Sequence, residues 1–200
     1  MTTASNRLPT LAATLFPAAR NDARLVQNVL LALVGSALLT LSAKVQVPLY
    51  PVPISMQTFV VLVLGMAYGP RLGLATVLLY LAEGAAGLPV FANTPERGIG
   101  LPYMMGPTGG FLAGFAVSAW FCGWLAERGW DRNLWRTAIA ITAGHAIILG
   151  IGWAWLATLI GPEKAYLGGI APFYLATAYK TALAVAVMPG AWWLVRRYRK

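Results

Sequence analysis

The chain has 200 residues, 58% of them hydrophobic and only 10% charged, with a mean hydropathy of +0.66. An ordinary soluble domain is about 25% charged, so the composition excludes one and describes an integral membrane protein. The 21 glycines and 13 prolines are scattered rather than periodic, and Cys122 is the single cysteine; collagen-like repeats, low-complexity tracts, internal disulfides and multi-cysteine metal sites are excluded with them. The net charge of +9 raises nucleic acid as a partner only until the basic residues are placed along the chain, where they mark loops.

The first segment, residues 1–24, holds a short apolar run over 8–19. Pro9 and Pro17 interrupt it and Ala18 and Ala19 end it, which makes a poor core for a cleaved signal. It is expected to be a loose cytoplasmic arm or a short helix on the membrane surface. The remainder, residues 25–200, is expected to form one transmembrane unit. A spanning helix needs roughly 20 apolar residues, and apolar stretches fall at 26–43, 53–68, 72–91, 108–127, 137–160 and 171–195. The predicted fold is therefore all-α, with six transmembrane helices and both termini cytoplasmic.

That orientation follows from charge. With cytoplasmic termini, the inner side carries Arg7, Arg20, Arg24, Arg71, Arg128, Arg132, Arg136, Arg196, Arg197, Arg199 and Lys200, and the outer side only Lys44, Arg97 and Lys164, as the positive-inside rule demands. Trp120, Trp124, Trp130, Trp135, Trp192 and Trp193 cluster at the same inner boundary, and Trp153, Trp155, Tyr166, Phe173 and Tyr174 nearer the outer one, as interfacial belts. The excess positive charge is thus topology, and no nucleic acid is expected.

Between the first two spans, KVQVPLYPVP over 44–53 contains prolines that prevent helix continuation and leave a semi-rigid strap, a potential lid. The second outer connection, 93–107, offers Asn93, Thr94, Glu96, Arg97 and Tyr103 either to a ligand or simply to solvent. Thr108 opens the fourth span as its predicted cap. Gly65, Gly69 and Gly73, and again Gly106, Gly110 and Gly114, recur every four residues, and Ala32, Ser36 and Thr40 form a similar small stripe on the first span. Such stripes allow close helix packing, within the chain or against a partner.

Three ionisable residues fall inside spans, where each is costly unless paired or solvated: Glu83, His145 and Lys180. At 1.5 Å per residue, Lys180 lies roughly 13 Å and Glu83 roughly 12 Å in from the outer ends of their spans. Equal depth permits a Glu83–Lys180 ion pair, or a Lys180 that receives a ligand carboxylate. His145 reads as a hydrogen-bonded packing residue, since one histidine without an acidic cluster makes no metal site. Cys122 has no evident base. No nucleophile motif, zinc motif or P-loop is present, so no enzymatic activity, metal or cofactor is expected.

The runs Val52-Pro53-Ile54-Ser55-Met56-Gln57-Thr58-Phe59-Val60-Val61-Leu62, Gly69-Pro70-Arg71-Leu72-Gly73, Gly87-Leu88-Pro89-Val90-Phe91-Ala92 and Gly106-Pro107-Thr108-Gly109-Gly110-Phe111 together resemble BioY, the biotin-specific S component of energy-coupling factor (ECF) transporters. The resemblance extends in order through most of the chain. It implies a substrate-capture subunit of a bacterial cytoplasmic membrane, with six helices enclosing biotin near the outer surface. It implies as partners a transmembrane coupling subunit and two ATPases, or a homo-oligomer if the protein acts without them. The stripe Ala32, Ser36 and Thr40 looks like the surface through which S components dock on the coupling subunit.

In that family the last helix carries an acidic residue one turn before a lysine, after a Pro-Phe pair. Here Pro172 and Phe173 precede Lys180, but Thr177 stands at the acidic position. The resemblance therefore implies Lys180, Asn93, Thr177 and Gln57 as polar contacts to biotin, Tyr103 and Phe91 as ring contacts, Arg97 as a second positive charge and Glu83 as a substitute carboxylate. The alternatives from residues alone are an S component for another vitamin, or a membrane protein outside the ECF class such as an intramembrane enzyme.

Overall fold

The computed structural model describes residues 8–17 and 21–198. Expectations resting on Arg7, Ala18, Ala19, Arg20, Arg199 and Lys200 lie outside the described residues. The elements in chain order are α1 (Leu11–Leu15), α2 (Asn21–Lys44), β1 (Gln46–Val47), β2 (Ile54–Ser55), α3 (Gln57–Ala85), α4 (Gly100–Met104), α5 (Gly109–Ala126), α6 (Leu134–Ile160), α7 (Pro162–Gly169) and α8 (Phe173–Tyr198). Among them, α2, α3, α5 and α6 are long and apolar enough to cross a bilayer, and α7 with α8, bent by 46°, makes a fifth candidate.

Helix α2 has Asp22 in its first turn and Lys44 in its last, each favourable to the helix dipole. Its flank exposes Leu25, Val26, Val29, Leu30, Leu33 and Leu41, an apolar surface suited to acyl chains rather than water.

The long α3 is not straight. Gly69 has φ 82° and ψ 175°, a conformation open to glycine, and Pro70 after it cannot donate to a continuing helix. The chain folds back there. A Cβ placed on Gly73 would lie 3.0 Å from the Cα of Gly65. Gln57 Nε2 reaches the Tyr80 hydroxyl at 2.5 Å across 23 positions, where a straight helix would separate them by about 35 Å. The limbs 57–68 and 70–85 are therefore antiparallel, joined by the Gly69–Pro70 turn. The span predicted at 53–68 starts only at Gln57, because Ile54–Ser55 pairs as a strand. The span predicted at 72–91 stops at Ala85, so Phe91 lies in a loop.

The hairpin packs on α5, and α5 on α6. A Cβ on Gly65 would meet the Ala119 carbonyl oxygen at 2.6 Å, and one on Gly123 the carbonyl carbon of Gly69 at 2.5 Å. The predicted small-residue packing is thus realised within the chain, bringing two backbones into contact. Leu62, Met66, Val77, Ile141, Ile148 and Leu156 form the core around it. The last span, predicted over 171–195, runs from Phe173 to Tyr198, since Ala171 precedes Pro172 and is biased away from the helical region.

The strap between α2 and α3 contains a small antiparallel ladder, Gln46 opposite Ser55 and Val47 opposite Ile54. The amino-terminal arm is not loose over its described residues. Thr10 caps α1 by accepting from Ala13 N at 3.3 Å, Leu8 N donates to the Glu127 carbonyl at 2.8 Å, and Arg132 donates to the Pro9 carbonyl at 2.9 Å. On the same end, Arg128 lies over Trp124, Arg132 over Trp192 and Arg197 over Trp193, at 3.5, 4.1 and 5.3 Å, pairing belt aromatics with cations. Asp131 is buried there and accepts from Trp192 Nε1 at 2.6 Å. Burial raises its carboxyl above the usual range, against the opposing effects of the Trp192 hydrogen bond and the Arg132 charge.

Candidate substrate-binding site

At the opposite end of the bundle, the loop after α3 turns inward, which buries backbone that must find partners. Three consecutive carbonyls each receive a side-chain donor. The Tyr80 hydroxyl donates to Val90 O at 3.0 Å, Lys44 Nζ to Phe91 O at 3.0 Å, and the Tyr103 hydroxyl to Ala92 O at 2.7 Å. Lys44 also reaches Thr94 O and Thr94 Oγ1, at 2.9 and 3.2 Å. It is a clip between α2 and this loop, a role beyond that of a surface cation.

The Phe91 ring stacks on Tyr103, with centroids 5.1 Å apart, and meets Tyr80 edge-on at 5.4 Å. Gly84 makes room for it, since a Cβ there would lie 2.0 Å from Phe91 Cζ. Burial raises the phenol pKa of Tyr103, opposed by a hydrogen bond with Thr108 and the charge of Arg97, and keeps it a neutral donor.

Phe91 and Tyr103 form one wall of a cavity of about 430 Å³, counting the open space at its mouth. Its apolar lining includes Val52, Phe91, Tyr103, Phe111, Phe115 and Phe173; its polar positions are Ser55, Gln57, Thr58 and Thr108. Ser55 Oγ donates to Gln57 Oε1 at 3.1 Å, Gln57 Nε2 donates to the Tyr80 hydroxyl, and Tyr80 donates to Val90 O. This relay orients Gln57 and leaves one of its two amide hydrogens for a ligand. Thr108, predicted as a helix cap, makes no capping bond; its backbone is already helical, and its side chain belongs to the cavity wall.

Lys180 is buried on α8, and its Nζ donates to Ser55 O at 2.6 Å and Thr58 Oγ1 at 3.1 Å. Both acceptors belong to residues that line the cavity, while Lys180 itself faces an adjoining recess with Gln46, Ile54 and Tyr179. Ser55 borders both spaces. The ammonium therefore reaches the cavity wall from behind the strap.

The structure separates the remaining predicted contacts. Glu83 accepts a hydrogen bond from Ser36, so of the two arrangements that equal depth permits, the Glu83–Lys180 ion pair is not formed. Ser36 is consequently 1% exposed, with Ala32 and Thr40 half-buried beside it. The small stripe of α2 packs against α3, and the exposed flank of α2 is its leucine-rich side. Asn93, at φ 55°, accepts from Gln46 Nε2 at 2.7 Å, leaving its own Nδ2 buried without a partner. Arg97 is exposed and holds the strap through the carbonyls of Leu49 and Pro51, at 3.3 and 3.4 Å. Thr177 is half-buried, one turn before Lys180. His145 Nδ1 lies 3.3 Å from Thr181 Oγ1, joining α6 to α8 as a packing residue. Buried Cys122 points its thiol at the Ala140 carbonyl.

Of the predicted contacts, Gln57, Phe91 and Tyr103 meet in the cavity and Lys180 stands at its wall. Ser55, Thr58, Thr108, Phe111 and Phe173 were not singled out as contacts. The signal for all but Phe173 was present, because three of the four sequence runs supply Val52, Ser55, Gln57, Thr58, Phe91, Ala92, Thr108 and Phe111 to the lining. The remaining run makes the Gly69–Pro70 turn.

Known proteins are similar to this chain in sequence and in fold. It is 36% identical to a probable biotin transporter BioY of Pyrococcus horikoshii, over 76% of this chain and 87% of that one. It is 35% identical to the biotin transporter BioY of Thermotoga maritima, over 76% and 88%. Its fold matches the crystal structure of the S-component for biotin from an ECF-type ABC transporter, with TM-score 0.73 and 22% identity over 91% of this chain and 95% of that one. The BioY family as a whole matches residues 10–197. This multi-pass membrane protein belongs to the BioY family.

Proposed function

We propose that this chain captures biotin from the outer side of a bacterial cytoplasmic membrane and serves in its uptake as the S component of an ECF transporter. The observation that carries the reading is the buried ammonium of Lys180 at the wall of an aromatic cavity. Biotin joins an apolar ring and valeryl chain to a ureido group and a carboxylate, and an apolar pocket with few fixed polar groups suits it. The naming of relatives as biotin transporters supports the same substrate.

In this reading the Lys180 ammonium turns from Ser55 O toward the ligand's carboxylate or ureido oxygen. Gln57 contributes its remaining N–H, and Phe91 and Tyr103 pack on the rings. Thr177 and Asn93 contribute at the edges, Asn93 through its unpartnered Nδ2. Arg97 and Glu83 act indirectly, by holding the strap and by fixing α2 on α3. No bond is made or broken, and the chain is a carrier rather than an enzyme.

The two limbs of α3 count as separate crossings, giving six with α2, α5, α6 and α8. An even number places the termini on one side. Arg24, Arg71, Arg128, Arg132, Arg136, Arg196 and Arg197 lie on that side, which the positive-inside rule makes cytoplasmic. The limbs are short for a core of about 30 Å, and the strap and the loop 86–108 fill the outer depth, where irregular backbone is tolerated because protein surrounds it. Residues 25–200 then form one transmembrane unit to which the arm, 1–24, is attached. A coupling subunit with two ATPases supplies the energy.

Equilibrium binding of biotin to the detergent-purified chain, with thiamin and riboflavin as controls, tests this. Binding of biotin alone, weakened by Lys180→Ala, is the expected result; binding of a control vitamin in its place would overturn it.

A further inference from the structure

At the arginine-bearing end of the bundle, a cleft runs between α1, α2 and the turn of the α3 hairpin. Its polar half is lined by Arg24, Gln27, Asn28, Tyr68, Arg71 and Glu127, with about 980 Å³ of space counting its open mouth. Its apolar half, along Val26, Leu30 and Val34, has about 830 Å³ on the same basis. Phe16, Gln27 and Leu31 line both halves, so the two are continuous. Gln27 Nε2 donates to Phe16 O at 2.7 Å and the Tyr68 hydroxyl to Leu31 O at 3.0 Å. The junction is therefore built by hydrogen bonds.

Arg24 and Arg71 are both exposed, and neither pairs with a carboxylate among the described residues, while Glu127 already has a partner. The apolar half lies on the exposed apolar flank of α2, a helix long and apolar enough to cross a bilayer, so acyl chain is its natural filling. The unpaired arginines then decide the head group. An acyl chain along α2 sets its own phosphate beside Arg24 and Arg71, and the amides of Gln27 and Asn28 suit glycerol hydroxyls. A choline head group brings its own cation to the same place and loses that advantage.

We propose that this cleft is a binding site for one anionic glycerophospholipid. Its phosphodiester lies between Arg24 and Arg71, and an acyl chain runs along Val26, Leu30 and Val34. The site is remote from the cavity closed by the strap and does not depend on what that cavity binds.

Native mass spectrometry of the full chain, offered equal amounts of dioleoyl phosphatidylglycerol and dioleoyl phosphatidylcholine, tests the proposal. The expected result is preferential retention of phosphatidylglycerol, falling about fivefold in Arg24→Gln and again in Arg71→Gln. Arg136→Gln, at the start of α6, should leave the preference unchanged. Monodisperse elution and unchanged helical circular dichroism identify folded variants; if Arg71→Gln fails them, Arg24→Gln carries the test. Equal retention of the two lipids would overturn the proposal, as would an equal loss in Arg136→Gln, which would make the preference one of diffuse charge. A two-chain species abolished by Leu30→Asp, with lipid retention unaltered, would assign the groove to a second copy and also overturn it.

Discussion

Lys180 donates its ammonium to the carbonyl oxygen of Ser55 at 2.6 Å, across 125 positions of sequence. This bond fastens the last helix to the strap beside the cavity, and sets the Lys180 ammonium against Ser55 and Thr58, both of which line the cavity. In the proposed function this ammonium is the charge offered to an anionic ligand.

Lys180→Ala should weaken biotin binding by roughly tenfold to a hundredfold, the range for a hydrogen bond to a charged group. Titration calorimetry on folded variant reads this directly. An affinity within twofold of the parent would show that the ammonium holds only the strap.

Gly84→Ala should both destabilise the fold and open the cavity, because the added Cβ would lie 2.0 Å from Phe91 Cζ, 2.3 Å from its Cε2 and 2.7 Å from its Cε1. Overpacking of this kind costs typically 1–3 kcal/mol. The measurement is a lowered thermal midpoint together with weaker biotin binding, since Phe91 forms the cavity wall. Gly87→Ala, at φ 94° but with open space around it, should lower stability with less effect on binding.

Lys44→Met removes the donor to Phe91 O, Thr94 O and Thr94 Oγ1 while keeping most of the aliphatic stem. Phe91 O keeps the Thr94 hydroxyl as a donor at 2.6 Å, so Thr94 O is the carbonyl that loses its partner, at a cost of about 1–3 kcal/mol. Faster hydrogen exchange over 88–98 and faster biotin release are expected, with exchange in α5 and α6 unchanged.

Asp131 gives a stability that depends on pH. Its carboxyl is raised in the folded chain by burial, so between the unfolded pKa near 3.9 and the higher folded value the folded state binds more protons. Stability accordingly falls as pH rises through that window. Asp131→Asn, which keeps an acceptor for Trp192 Nε1, should flatten this part of the pH–stability curve. An unchanged slope in thermal melts from pH 4 upward would assign the dependence to another group.

The local features were legible because they are written in neighbouring residues. Apolar runs set where helices lie; Gly69-Pro70 stops one limb and starts the next, since one residue admits a positive φ and the other lacks an N–H. The prolines of the strap keep it out of helix, and the small residues at 65, 69 and 73 allow a close crossing, whose partners at 119 and 123 only the structure supplied. For the arm a short helix was one of two readings, and the bonds that hold it, such as that from Arg132 to Pro9, were not legible because they join residues 123 apart.

Which polar groups meet was decided only by the tertiary structure. Glu83 and Lys180 share a depth, and depth follows from counting residues; partnership depends on helix azimuth, which no local pattern sets. Once α2 packs on α3, Ser36 faces Glu83 and takes it, and Lys180 is left to the strap. Phe91 was read as the end of a helix because its neighbours are apolar, yet Lys44, Tyr80 and Tyr103 hold the carbonyls around it in a loop. Composition and short motifs thus determined a membrane bundle and the segments that line its cavity. The folded bundle alone decided which donor reaches which acceptor, because a buried polar group takes whichever partner the packing of distant helices brings within hydrogen-bond reach.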